Sequence, residues 1–97
     1  MNIELQYFEG CPHWKVADGR LRPLAEALGI EIDYRLVSTP EEAVIARFLG
    51  SPTILIDGRD PFASADEPVG LSCRLYQTPD GPAGSPTIGQ LEDALGG

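Results

Sequence analysis

Along the first eight residues, apolar and polar positions alternate. Ile3, Leu5 and Tyr7 stand against Glu4 and Gln6. That period of two predicts a first strand, which Phe8 extends and Glu9-Gly10 breaks. From Trp14 the period changes. Trp14, Ala17, Leu21, Leu24, Ala25 and Leu28 recur at steps of three and four, predicting one face of a helix over about 12–28, stopped by Gly29. Pro23 falls inside this helix, where it costs stability and bends the axis. Ile30, Ile32, Tyr34 and Leu36 alternate with charged residues and predict a second strand.

Thr39-Pro40-Glu41-Glu42 carries three agreeing helix-start signals: a capping threonine, a proline at the first helical position and a Glu that completes a capping box. Val44, Ile45, Phe48 and Leu49 form the apolar face expected of this second helix, and Gly50 its end. Thr53-Ile54-Leu55-Ile56 is a short apolar run fitting a buried central strand, followed by an Asp57-Gly58 turn. Residues 59–70, with Pro61, Pro68 and Gly70, read as loop. Leu71, Cys73 and Leu75 alternate with polar neighbours and predict a fourth strand. Residues 78–84 read as irregular, and Ile88, Leu91 and Leu95 as a last helix capped by Ser85 or Thr87 and ended by Gly96-Gly97.

The expected order is β-α-β-α-β-β-α in a single α/β domain, residues 1–97. Crossover helices imply parallel strands, and the third and fourth strands are able to pair antiparallel. The expected architecture is a four-stranded mixed sheet flanked by three helices. Gly-Ser-Pro-Thr-Ile occurs at 50–54 and again at 84–88, before a strand and before a helix, which marks shared turn chemistry rather than a structural repeat.

Composition narrows the function. Seven basic against 15 acidic residues leave a net charge of −8. Such a field repels phosphate backbones and anionic membranes, so neither nucleic acid nor membrane is an expected partner. Two cysteines are too few for a disulfide-scaffolded secreted domain. The N-terminal residues lack the basic region and apolar run of a secretory signal. The expectation is a cytoplasmic protein whose thiols start reduced.

Cys11-Pro12-His13-Trp14 falls where the first strand hands over to the first helix. Unpaired N–H groups and partial positive charge at a helix N-terminus lower a thiol's pKa and raise its reactivity. Cys11 is therefore the candidate nucleophile. His13 is either an exposed loop residue or a tuner of that thiol. Trp14 starts the apolar stripe and divides between core and rim. Cys73 alternates with Leu71 and Leu75 and reads as a core thiol.

A strand, then Cys-Pro opening a Pro-containing helix, then Ser-Pro-Thr opening a buried strand, resembles the thioredoxin and glutaredoxin superfamily over nearly the whole chain. The Cys-Pro-His triplet is similar to that of its bacterial disulfide-oxidase branch. The resemblance implies a nucleophilic Cys11, a cis Pro52 lying against it, and substrate binding by Pro12, His13, Trp14, Ser51, Pro52 and Thr53. It implies no bound cofactor, with glutathione as a co-substrate. Its sheet order implies a fourth strand two spacings from the first, about 10 Å away, which sets Cys73 beyond the roughly 7 Å Cα limit of a disulfide to Cys11. The motif departs from Cys-x-x-Cys at Trp14, which leaves monothiol chemistry. The leading expectation is a monothiol redox protein acting on a protein or low-molecular-weight disulfide. The alternatives are a non-catalytic partner-binding module and a thiol site for a soft metal or organomercurial.

Overall fold

The alternation at the N-terminus forms β1, Ile3–Tyr7, and its two apolar positions Ile3 and Leu5 are fully buried. A computed structural model describes residues 1–63 and 69–96. After β1 come α1 (His13–Ala27), β2 (Ile32–Leu36), α2 (Pro40–Ala46), β3 (Thr53–Ile56), β4 (Tyr76–Thr78), β5 (Gly81–Ala83) and α3 (Ile88–Ala94). Residues 64–68 of the expected loop, Pro68 included, and Gly97 lie outside the described residues. No helix among the described residues is long and apolar enough to cross a membrane.

β1 is the centre of a three-stranded sheet ordered β2-β1-β3. β2 runs parallel to it in register Leu5↔Tyr34, and β3 antiparallel in register Leu5↔Ile54. The crossover through α2 was expected to yield a strand parallel to β2, but β3 runs antiparallel instead. Ile3, Leu5 and Ile54 share the sheet face that α1 and α3 cover with Ala17, Leu21, Ala25, Leu91 and Leu95. α1 continues through Pro23 as one helix. On its other flank the Asp18 carboxylate accepts a 2.5 Å hydrogen bond from the Tyr34 hydroxyl and a 2.7 Å contact from Arg22, tying α1 to β2. Burial, and then this hydrogen bond, push the Tyr34 phenol above its ordinary pKa.

The sheet has three strands, not four. Residues 71–75 form no strand: Ser51 and Cys73 make a single parallel bridge, and β4 and β5 pair only with each other. The inward positions are also shifted by one residue. Arg74 and Tyr76 are buried, while Cys73 and Leu75 are exposed. From Cys73 to Tyr76 this one-residue shift exchanges the side chains between faces, while Leu71 stays half-buried. The force behind it is Arg74, whose guanidinium meets the Asp60 carboxylate at 2.6 Å and lies 4.5 Å over the Tyr76 ring. A charge with a carboxylate and an aromatic face to meet inside displaces Leu75 outward.

α2 also departs from expectation. Thr39 caps it, accepting a 3.1 Å bond from the Glu42 N–H, but the Glu42 carboxylate reaches back to the Ser38 N–H. The helix ends at Arg47, which takes a left-handed conformation with φ 53°. That turn drives Phe48 into a second core with Val37 and Ala43. Val44 and Ile45 are left 68% and 77% exposed. The face of α2 turned to this core carries Ala43 and Ala46 instead. The last helix starts as expected from Thr87, with a complete capping box to Gln90.

Candidate functional site

Cys11 leaves the end of β1 in a tight turn, its N–H donating to the Phe8 carbonyl at 3.2 Å. Pro12 follows as the cap residue of α1, and His13 is the first helical residue. The expected placement of Cys11 just ahead of a helix N-terminus therefore holds in space. Its side chain turns inward and is fully buried, with Sγ 3.6 Å from the Ser51 carbonyl oxygen.

Ser51 is the hub. Its hydroxyl accepts from the Phe8 N–H at 3.2 Å, its N–H donates to Ser72 O at 2.7 Å, and its carbonyl accepts from the Arg74 N–H at 3.0 Å. The peptide bond from Ser51 to Pro52 is cis, as the resemblance implied. One side of Ser51 thus carries the turn holding Cys11, and the other carries Cys73.

The two cysteines are joined: a disulfide links Cys11 to Cys73, with Cα atoms 5.7 Å apart. This overturns the expectation of a buried, unpaired Cys73. The estimate of about 10 Å assumed both residues on strands of one regular sheet. Instead Cys11 sits past the end of β1, curled over the entrance to β3, and residues 72–74 meet the chain at Ser51, before β3 begins. Gly50 makes that approach feasible. Its φ is +113°, and a Cβ there would lie 3.0–3.2 Å from Arg74 Cβ, Ser72 O and Arg74 N. Only glycine suits both demands.

Of the other expected site residues, Pro12 and His13 are exposed and Trp14 is half-buried, its ring stacked on Tyr7 at 4.3 Å between centroids. Ser51, Pro52 and Thr53 are buried. The Thr53 hydroxyl is engaged internally, donating to Gly50 O at 2.6 Å. Pro52 is fixed from the far side by the Tyr76 hydroxyl, which donates to its carbonyl. Tyr76 in turn stands edge-on to Phe62 at 5.4 Å and under the Arg74 guanidinium.

Three residues escaped the sequence reading. Asp60 was read as part of the 59–70 loop, yet it holds Arg74 in place behind Cys73. Gly84 was read as irregular loop, yet the His13 ring lies directly on it: a Cβ there would come within 2.6 Å of Nδ1. Cys73 itself is the third. The ligand atoms of Cys11, His13 and Cys73 all lie within 4.8 Å of one another. The available signal was the second Gly-Ser-Pro-Thr-Ile, whose glycine borders the same cluster as the first.

No protein-family model, curated protein or solved structure matches the chain. Functional inference therefore rests on the geometry of this cluster.

Proposed function

We propose that the chain is a thiol–disulfide redox protein of thioredoxin-like type whose exchange couple is Cys11–Cys73. The observation that carries the reading is a disulfide with one buried and one exposed cysteine, packed beside a cis proline and just ahead of a helix N-terminus. Support for the fold type comes from the order β2-β1-β3, with β1 and β2 parallel and β3 antiparallel. The cysteine missing from the fourth position of the motif is made good by a residue 62 positions downstream. The monothiol cycle accordingly gives way to a dithiol one.

The chemistry follows from exposure. An incoming thiolate attacks the Cys73 sulfur, because Cys11 is enclosed. The S–S bond breaks, a mixed disulfide forms on Cys73, and its electron pair leaves on Cys11 as a thiolate. Positive potential from the N–H groups of α1 favours that leaving group, and a better leaving thiolate speeds exchange. A second thiol then attacks the mixed disulfide. The external pair ends oxidised, and Cys11 and Cys73 end as two thiols, a two-electron change. Glutathione or a protein dithiol fits the role of reductant. In the cytoplasm, the compartment this reading adopts, a disulfide is characteristically catalytic or redox-sensing.

The test is equilibration in glutathione buffers, with thiols counted by alkylation and mass measurement. An exchange couple titrates at a potential above about −300 mV. A couple still fully oxidised below that potential is a structural staple, and the proposal fails.

A further inference from the structure

We infer that the reduced protein holds a three-ligand site for a zinc-type divalent cation, formed by Cys11, Cys73 and His13 and abolished when the disulfide closes. Two thiolates and one imidazole make the donor set of a borderline-soft d10 ion, and three protein ligands leave its fourth tetrahedral position open. With Zn–S near 2.3 Å and Zn–N near 2.0–2.1 Å, such an ion spaces its ligand atoms about 3.4–3.8 Å apart. The three ligand atoms here already lie within 4.8 Å of one another. Opening the S–S bond frees both sulfurs to turn toward that spacing, from Cα atoms 5.7 Å apart.

The backbone anchors do not depend on the disulfide. Cys11 is held by its N–H bond to Phe8 O, and Cys73 lies between two backbone hydrogen bonds to Ser51. His13 begins α1, and its ring rests on the bare Gly84. Cys73 and His13 are exposed, which provides access and places the open position toward solvent.

The cycle balances. An external dithiol gives up two electrons and becomes a disulfide, while the Cys11–Cys73 bond is reduced to two thiols. Zn2+ then displaces both thiol protons to water, and His13 binds through the lone pair of its neutral imidazole. A small-molecule disulfide reverses the process, reforming the Cys11–Cys73 bond and releasing the cation. The inference rests on the proposed redox reading only in requiring that the couple be reducible.

The experiment uses the wild-type chain, reduced by a dithiol and freed of it under argon. Zn2+ is titrated against a chromophoric chelator, with Co2+ as a spectroscopic probe of thiolate ligation. The expected result is one Zn2+ per reduced chain, none per oxidised chain, and release of the bound Zn2+ on adding a disulfide oxidant. His13→Ala, which keeps both thiols and is checked for folding by circular dichroism, weakens binding by about tenfold or more, since even outer-shell losses reach that size. Equal uptake by the oxidised chain, or unchanged affinity in His13→Ala, overturns the site. Reduction without Zn2+ uptake overturns this inference alone. A couple that resists reduction overturns it together with the redox reading.

Discussion

At residues 50–54 the pentapeptide Gly-Ser-Pro-Thr-Ile takes the chain into β3, and at 84–88 the same five residues take it into α3. In both copies the serine and the proline are buried. The outcomes diverge at the threonine. Three residues beyond Thr53 stands Ile56, in a run where only Leu55 is not β-branched, and Thr53 turns its hydroxyl back to Gly50 O. Three residues beyond Thr87 stands Gln90, which completes a capping box and starts a helix. The glycines diverge as well. Gly50 has φ +113° and backbone pressed against it, while the three atoms nearest a Cβ at Gly84 belong to the His13 ring. A short motif thus sets burial and turn chemistry, and its flanks and tertiary neighbours select the element that follows. Both copies border the same cluster, one between the two cysteines and the other beneath the histidine.

The largest way to break this contrast is to release the first copy from residues 72–74. Cys73→Ser opens a disulfide closed over 62 positions, and the chain-entropy relation puts the loss near 4 kcal/mol. Urea unfolding of the variant and of the oxidised wild type measures it. A loss below about 1 kcal/mol means that the hydrogen bonds to Ser51 alone hold the segment. Next comes Gly50→Ala. A residue other than glycine at that φ costs about 1–3 kcal/mol, and pressure on Ser72 and Arg74 slows re-formation of the disulfide after reduction, read by quenched alkylation.

The second copy tests smaller terms. Thr87→Ala removes the cap of α3 and costs about 1 kcal/mol, seen as a lowered urea midpoint. Gly84→Ala is the mildest. Its new Cβ overlaps the exposed His13 ring at Cγ, Nδ1 and Cδ2, so the whole ring must turn aside, and stability changes by about 0.5 kcal/mol. Zn2+ uptake by the reduced chain nevertheless weakens. If Gly84→Ala costs as much as Gly50→Ala, the two copies are equivalent in their demands and the contrast collapses.

Much of the N-terminal half was legible because its signals are local. β1, α1 and β3 follow from apolar spacing, and the starts of α2 and α3 follow from Thr39 and Thr87. The position of Cys11 ahead of α1 and the cis bond at Pro52 were also within reach. Residues 71–75 misled because alternation shows period but not which face is buried. Leu71, Cys73 and Leu75 have the pattern of a core face, yet Arg74 takes the inward position through Asp60 and Tyr76, fourteen residues before it and two after. Val44 and Ile45 misled likewise, because the left-handed turn at Arg47 gives the core to Phe48.

By itself the amino-acid sequence determined the first three strands and the starts of the three helices, and that a thiol would stand at the start of a helix; the β4–β5 hairpin and the end of α2 were not among these. Those outcomes depend on hydrogen bonds and side chains a few residues apart. Which thiol faces Cys11 was decided only in three dimensions. Pairing Cys73 with Cys11 requires Gly50 to let residues 72–74 close on Ser51 and a buried Arg74–Asp60 pair to orient them. Contacts between such distant parts of the chain leave no periodic trace in either segment.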